Sequence, residues 1–379
     1  MVNLHAFSSS LRLGIQQRVL PEYRGGFVQA LGRACGGGLG VFAGQPLAQE
    51  AIATLLTLEG AELTLAHNRY LFDPGSPFFL CWQDGLVEWL ERWQPQVLVV
   101  EANPRYLSTR SAMRWMHARN RPVLGWGLGA PPLRGMSIVR WLRNLERRTF
   151  LSALDGMIAY SRRGAAEYRA LGTPAERVFT AYNAVASKPT APPPDRPSGF
   201  AGRPCVLFVG RLQQRKRIDY LLQSCALLPV ELQPRLVIVG DGPDREAMEA
   251  QAQAVYPQAE FTGAKRGAEL AAYFAAADLF VLPGTGGLAV QQALTYGLPV
   301  IVAQGDGTQD DLVRPENGWL IPSDDLDALT QALSDALSDP MRLRKMGTAG
   351  YRIVAEEVNL EKMVDVFIQA AEAVAHSKA

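Results

Sequence analysis

The sequence lacks the long apolar runs and the cysteine pairs that mark several classes of protein. No stretch approaches about 18 uninterrupted apolar residues, and the start of the chain lacks the basic-then-apolar order of a secretory signal. Its four cysteines lie far apart, without a C-x-x-C pair or a histidine cluster, so neither a zinc site nor a disulfide framework is predicted. Membrane-spanning and exported proteins are thereby disfavoured, and the cytoplasm is the expected compartment.

What is present is the composition of a folded protein with two domains. The 379 residues exceed the ordinary domain size of about 100 to 200, and 48% hydrophobic with 20% charged residues is a globular composition. The net charge of +1 conceals an asymmetry, because residues 1–186 hold 20 arginines against 13 acidic residues, whereas residues 187–379 hold 18 basic and 24 acidic residues. The two halves, at +7 and −6, are expected to meet different partners, with no nucleic acid among them.

A proline-rich stretch divides the chain. Five prolines lie between Ser187 and Arg203, a composition typical of a stiff, extended spacer. The sequence therefore predicts domains over 1–186 and 204–358, a linker over 187–203, and a final segment over 359–379 that contains a helix from Leu360 to Ala375.

Short runs of Val, Ile and Leu alternate with helix-length segments in both halves. Several runs are apolar without alternation, which indicates parallel strands buried on both faces in β-α-β units. The predicted strands are Leu11–Gln16, Leu39–Ala43, Leu63–Ala66, Val97–Val100, Val123–Trp126, Gly156–Tyr160, Cys205–Val209, Arg235–Val239, Glu260–Thr262, Leu279–Leu282, Pro299–Ala303 and Gly318–Ile321. The expected fold class is α/β, with two Rossmann-like doubly wound domains that face a central cleft and bind ligands beyond the carboxyl ends of their strands.

Two loops of the second half have the character of an anion site. Gly210 ends a predicted strand and is followed by Arg211 and Lys216, which would place two cations at the carboxyl edge of a sheet. Residues 282–288, L-P-G-T-G-G-L, precede a helical run and would leave free backbone N–H groups at the positive end of the helix dipole. A solvated basic turn and a tight strand-to-helix turn are the structural alternatives, but together the two loops favour phosphate binding.

At this point the second half resembles a known family, the retaining nucleotide-sugar glycosyltransferases with two Rossmann-like domains, the fourth family in the usual classification and of GT-B type. The matching stretches are V-G-R-L…K at 209–216, V-G-D-G-P at 239–243, A-A-A-D-L-F-V-L-P at 275–283, G-L-A-V-Q-Q-A-L-T-Y-G-L-P-V-I at 287–301 and N-G-W-L-I-P at 317–322. A weaker likeness to bacterial acceptor domains covers residues 16–24.

The resemblance implies a function and a set of site residues. Arg211 and Lys216 would hold the donor diphosphate and serve catalysis, with no obligatory metal or cofactor because they supply the positive charge. The nucleotide-sugar co-substrate, with UDP or GDP as its nucleotide, would contact Gly210, Thr262, Lys265, Gly286, Gly287, Leu288 and Gln292. The acceptor would be a carbohydrate or a lipid-linked sugar of the cell envelope. The weaker acceptor-side candidates are Arg18, Arg24, Gly25, His67 and Glu101, of which His67 and Glu101 could equally be structural hydrogen-bonding residues.

Two departures from the family pattern leave alternatives open. Gly284 and Gln292 stand where the family usually carries a Glu-x7-Glu pair, and residues 126–130, W-G-L-G-A, stand where many members have a histidine. The chain could therefore be a catalytically inactive sugar-nucleotide-binding partner of another transferase, or a nucleotide-sugar 2-epimerase. An active transferase is favoured, because in this family the leaving phosphate is thought to help take the acceptor proton, so positioning matters more than a dedicated base.

The segment between Gly135 and Leu151 is basic and amphipathic. Ile138, Trp141, Leu142 and Leu145 fall at helical spacing, with Arg140, Arg143 and Arg147 on the other face. One interpretation packs the apolar face against the sheet of the first domain. The other, which the arginine-rich first half supports, is weak and salt-sensitive peripheral binding to an anionic membrane surface, on the inner face of the membrane.

Overall fold

The computed structural model describes residues 9–47, 50, 52–72, 76, 78–130 and 138–378, without the side chains of 138–140, and divides into two compact units. The first unit comprises the described residues up to Val185 together with those from Leu360 onward, and the second comprises Ala186–Asn359.

In the first unit, strands alternate with helices along the chain. The elements are β1 Leu13–Val19, α1 Gly25–Ala34, β2 Leu39–Gly44, β3 Glu62–Ala66, β4 Asn68–Leu71, β5 Leu80–Gln83, α2 Leu86–Trp93, β6 Val97–Glu101, α3 Leu107–His117, β7 Val123–Gly127, α4 Ile138–Ser152, β8 Gly156–Ala159, α5 Arg162–Ala170 and β9 Val178–Thr180. The main sheet is parallel, in the order β3-β2-β1-β6-β7-β8-β9, while β4 and β5 form a separate antiparallel hairpin. The central strand β6 is buried on both faces, which explains its uninterrupted run of apolar residues.

The second unit repeats this architecture without repeating the sequence. Its elements are β10 Cys205–Val209, α6 Ile218–Leu227, β11 Arg235–Val239, α7 Arg245–Val255, β12 Glu260–Phe261, α8 Gly267–Ala276, β13 Leu279–Leu282, α9 Leu288–Thr295, β14 Val300–Ala303, α10 Thr308–Leu312, β15 Gly318–Ile321, α11 Leu326–Ser338 and α12 Pro340–Glu356. The strands are parallel in the order β12-β11-β10-β13-β14-β15. The winding direction reverses between β10 and β13, and that reversal is where open α/β sheets bind ligands.

The final helix, α13 (Leu360–His376), returns to the first unit. The ring of Phe367 packs edge-on against Phe27 of α1 and Trp126 of β7, with centroids 4.8 and 4.9 Å apart. The terminal helix predicted from its apolar stripe is therefore part of the core of the first unit.

Residues 187–203, predicted as a linker, lie in the second unit and pack on it. The half-buried guanidinium of Arg196 donates hydrogen bonds to the carbonyls of Phe274, Ala277 and Tyr296 at 2.7–3.1 Å. The stretch has no helix or strand, as its prolines indicate, but three carbonyl contacts fix it in place.

The α/β class and the predicted parallel strands are confirmed, with ends that differ by up to three residues. β1 begins at Leu13 instead of Leu11 and runs on to Val19. The β4–β5 hairpin and the short edge strand β9 were not predicted, because each is brief and carries polar residues among the apolar ones.

Candidate functional site

The loops that follow β10 and β11 interlock at the carboxyl edge of the second sheet. The Leu212 N–H donates to the carbonyl of Asp241 at 2.9 Å. A Cβ atom on Gly240 would lie 1.8 Å from the carbonyl oxygen of Gly210, and one on Gly242 would lie 2.2 Å from that of Leu212. The two glycines of the V-G-D-G-P stretch are therefore required for backbone packing that holds the Arg211 loop in place.

Lys216 is the best-defined cation of this edge. Its side chain is buried, with 7% of the residue exposed, and its Nζ donates to the carbonyl oxygen of Thr285 at 2.8 Å. Burial and, secondarily, the neighbouring Arg215 lower the pKa of Lys216 from 10.5 to about 8. Its ammonium is thus brought directly to the glycine-rich turn after β13.

The turn itself has no room for a side chain at Gly284. A Cβ there would lie 2.3 Å from the carbonyl oxygen of Arg215 and 2.5 Å from the Cα of Lys216. The backbone of the cationic loop therefore occupies the space in which the family's first glutamate would begin.

Gly286 and Gly287 complete the turn in backbone conformations that favour glycine. Their φ angles are 81° and 140°, and helix α9 begins at the next residue, Leu288. The first N–H groups of an α-helix lack partners within the helix and attract anions. The structure thus brings Lys216 and the start of α9 to one point, as the sequence predicted.

The remaining donor candidates lie on the same edge of the sheet but are less closely grouped. Gly210 and Arg211 directly follow β10, and the Arg211 side chain is exposed. Thr262 follows β12, and Lys265 pairs with Glu269 at 3.7 Å. Gln292 lies half-buried in the second turn of α9. Among the described residues, no contact joins Lys265 or Gln292 to Lys216, so these candidates are not gathered around the buried cation.

Sequence reasoning missed the neighbour of Gln292. Gln291 is 1% exposed, its Nε2 donates to the Val358 carbonyl at 2.6 Å, and its Oε1 accepts from the Ala186 N–H at 3.2 Å. Ala186 and Val358 lie at the two places where the chain passes between the units. The sequence signal that could have identified Gln291 is a polar residue in the helix that directly follows a glycine-rich turn.

A cavity of about 330 Å³ opens beside the turn, lined by residues that include Arg215, Gly284, Thr285 and Asp324. Larger cavities, of about 590 and 620 Å³, lie elsewhere on the second unit. The cavity of about 590 Å³ is at the opposite, amino edge of the sheet, where Arg235 is already paired with Glu260 at 2.6 Å. We place the candidate site at the smaller cavity because Thr285, which lines it, accepts the hydrogen bond from the buried Lys216 ammonium.

On the first unit, Arg18 and Glu101 meet where β1 and β6 end. The Arg18 N–H donates to Glu101 Oε1 at 2.7 Å, and the Arg18 guanidinium pairs with Glu50 at 2.8 Å. Desolvation by the surrounding protein raises the pKa of the Glu101 carboxyl, opposed by its hydrogen bond from the Arg18 backbone. Arg18 is therefore engaged within the protein, and Glu101 is held close to it.

Arg24, at the start of α1 beside Gly25, lies in an aromatic cage. It is 4% exposed, and its guanidinium carbon is 4.7 Å from the ring centroid of Trp126 and 5.1 Å from that of Tyr160. Among the described residues, its Nη1 and the Nε1 of Trp126 have no hydrogen-bond partner. Two buried donors without acceptors mark this point as a candidate contact for a ligand oxygen.

The other acceptor-side positions have structural explanations. His67 is mostly exposed and its Nδ1 lies 3.1 Å from Asp84 Oδ2, which agrees with the structural interpretation. In the loop after β7, the Gly129 N–H donates to the hydroxyl of Tyr168 at 3.2 Å. A Cβ on Gly127 would lie 2.7 Å from that hydroxyl, so this loop is fixed by packing on α5.

Comparison with known proteins agrees with this fold. Residues 195–353 match the family described as glycosyl transferases group 1. Two curated relatives come from Mycolicibacterium smegmatis. One is a GDP-mannose-dependent alpha-mannosyltransferase, 40% identical over 157 residues, which are 40% of this chain and 39% of that protein. The other is a GDP-mannose-dependent alpha-(1-6)-phosphatidylinositol monomannoside mannosyltransferase, 34% identical over 169 residues, 40% of this chain and 43% of that protein. The matched region thus spans about two fifths of these relatives' length.

Solved structures match over nearly the whole chain. The structure of Anabaena HepE in complex with UDP has a TM-score of 0.72 at 15% identity, covering 95% of this chain and 99% of that one. Sucrose-phosphate synthase from Thermosynechococcus elongatus has a TM-score of 0.70 at 20% identity, covering 96% and 99%. At such identities the likeness concerns the fold.

This chain has two Rossmann-like units, which is the architecture of the GT-B class of glycosyltransferases. In its second unit, a buried cation lies where a helix begins after a glycine-rich turn. The group 1 match falls on the unit that carries this site. Residues 195–353 of this chain are therefore a group 1 glycosyltransferase domain.

Proposed function

We propose that this protein transfers a sugar, with retention of configuration, from a nucleoside diphosphate sugar to a hydroxyl acceptor. The observation that carries the proposal is Lys216, whose buried ammonium lies at the carbonyl of Thr285 beside the first N–H groups of α9. A buried cation beside helix N–H groups suits a diphosphate leaving group, whose negative charge grows as the glycosidic bond breaks.

In this proposal Lys216 and Arg211 stabilise the departing diphosphate, and the leaving phosphate helps to take the acceptor proton. The reaction then needs no carboxylate at Gly284, where the packing leaves no room for one. It also needs no metal, since the two side chains supply the positive charge, and activity is expected to survive chelation of divalent cations.

The donor is proposed to be GDP-mannose, because the matched relatives are described as GDP-mannose-dependent. The acceptor is proposed to be a lipid-linked or free carbohydrate of the cell envelope. On the first unit, the buried donors of Arg24 and Trp126 are proposed to meet an oxygen of the bound substrates. The protein would act at the inner face of the membrane. Among the described residues, no helix is long and apolar enough to cross it.

The test is turnover of a panel of GDP- and UDP-sugars, with product configuration read by NMR. GDP-mannose should give an α-linked product, and Lys216→Ala should remove it, while the control Lys345→Ala, at an exposed position of α12, should not. A β-linked product would contradict retention, and an epimerised donor without transfer would identify an epimerase.

The inactive-partner alternative keeps one specific observation in its favour, the absence of the glutamate pair. It predicts that the nucleotide binds, so that thermal stability rises with GDP or UDP by mass action, while no donor is consumed even slowly. If the wild type hydrolyses the donor and Lys216→Ala abolishes that hydrolysis, the inactive-partner alternative is excluded.

A further inference from the structure

Helix α4 exposes the apolar face that a packed helix would bury. Trp141 is 62% exposed, Leu142 is 53% exposed and Leu145 is 48% exposed, whereas Phe150 and Leu151, which are buried, lie near the carboxyl end of the helix. The interpretation in which Trp141, Leu142 and Leu145 pack on the sheet of the first unit is therefore wrong, while the side chains of Ile138 and Arg140 in the same pattern lie outside the described residues. These three apolar side chains of α4 are left largely uncovered by the described part of the chain.

The exposed face continues onto the β4–β5 hairpin. Phe78 is 63% exposed, and the guanidinium carbon of Arg143 lies 5.7 Å from its ring centroid. Phe72 is 64% exposed, lies 6.2 Å from Phe78 between ring centroids, and has a φ of 64°, which is costly for a bulky residue. We call Phe72, Phe78, Trp141, Leu142 and Leu145 the α4 patch.

Arginines surround this patch. Arg143 reaches from α4 to Phe78, and Arg148 is exposed further along the same helix. Burial and, secondarily, the positive charge of Arg105 lower the pKa of Arg147. The one acidic residue in the α4 sequence is Glu146, and it already pairs with Arg110 at 3.0 Å. The local excess of charge is therefore positive.

We propose that the α4 patch docks this protein on an anionic lipid bilayer, with the aromatic and leucine side chains entering the interface and the arginines meeting lipid phosphates. Apolar residues with arginine at their border are suited to such a surface. A second copy of this chain would bring the same arginines against one another, so self-association through the patch is disfavoured. The proposal concerns the first unit alone and does not depend on catalysis.

The test is co-sedimentation with vesicles of phosphatidylcholine, alone or mixed with phosphatidylglycerol, without donor or acceptor. The wild type should bind the mixed vesicles and be released at about 1 M salt, where charge interactions are screened within about 3 Å. Trp141→Ser/Leu142→Ser/Leu145→Ser should weaken binding by at least about 100-fold, given the apolar area lost. Arg148→Ser should weaken it about fivefold.

The matched control is Leu227→Ser/Val230→Ser/Met341→Ser, three similarly exposed apolar residues of the second unit. It should bind as the wild type does. Trp141→Phe keeps the apolar face and should still bind, but quenching of tryptophan fluorescence by brominated lipid should fall, because the inserted indole is gone.

Equal recovery with both vesicle types overturns the proposal, as does equal weakening by the α4 and control triple variants. The proposal is also overturned if ultracentrifugation shows a concentration-dependent dimer of the wild type and the α4 triple variant does not form it. Turnover of a soluble acceptor is expected to be unchanged in that variant. A protein that docks but does not turn over sugar contradicts the proposed function and leaves the docking proposal intact.

Discussion

Replacing Lys216 with Met should stabilise the second unit while it removes turnover. Lys216 is 7% exposed, and the described hydrogen bond of its ammonium is to a neutral carbonyl, that of Thr285. Burial and Arg215 lower its pKa from 10.5 to about 8, so the folded state holds the charge less favourably than the unfolded state does. A methionine of similar length keeps the packing of the stem and removes that cost.

The magnitude follows from the shift in pKa. At about 1.4 kcal/mol for each pKa unit, the move from 10.5 to about 8 costs the charged folded form about 3 kcal/mol. Loss of the hydrogen bond to the Thr285 carbonyl should destabilise the variant by about 1 kcal/mol. At pH 7 we therefore expect the free energy of unfolding of Lys216→Met to exceed that of the wild type by about 2 kcal/mol. Turnover should fall by about 100- to 1000-fold.

The pH dependence gives the sign of the effect. Between about pH 8 and pH 10.5 the unfolded chain binds the Lys216 proton and the folded chain does not, so wild-type stability rises with pH across this window. The advantage of Lys216→Met should therefore be fully present at pH 7 and almost gone at about pH 10. The exposed control Lys345→Met should show no such trend.

The assay follows the second unit alone through Cys225, a free thiol that is fully buried in α6. The fraction of Cys225 labelled by a thiol reagent across a urea series gives the free energy of unfolding of that unit at each pH. The burial argument is refuted if Lys216→Met is less stable than the wild type at pH 7, or if the difference does not shrink at high pH. Near-normal turnover would refute the assignment of Lys216 to the diphosphate.

Four further substitutions test the site. Arg211→Lys should lose about 100-fold in turnover, since a point ammonium cannot replace a planar guanidinium, and steady-state kinetics with a circular dichroism control decide it. Gln292→Ala should weaken donor affinity by about fivefold in calorimetry and leave turnover nearly unchanged; the reverse pattern would contradict a ribose contact. Gly284→Ala should cost about 1–3 kcal/mol of stability in the same thiol assay, because its Cβ would collide with the Arg215 carbonyl, and an unchanged midpoint would contradict that packing. Gln291→Ala should speed amide hydrogen exchange at both passages of the chain between the units, and unchanged protection there would show that the buried amide does not hold them.

Local sequence patterns determined most of the elements of the fold. The run Val97–Val100 became the central strand β6 because a strand buried on both faces must be apolar throughout. The glycines at 286 and 287 have positive φ angles, which their lack of a Cβ permits. Since strand, turn and helix follow one another over residues 279–295, the sequence also predicted that this turn would lie at the edge of the sheet.

The tertiary structure decided what those elements contact. Spacing alone could not show that Gly284 lies against the backbone of Arg215, because that contact joins residues some 70 positions apart. The same is true of Gln291, whose two partners lie more than 60 positions away in either direction. A periodic pattern gives a helix its apolar face but not the surface that covers it, and so only the folded chain showed that Trp141 and its neighbours on α4 remain exposed.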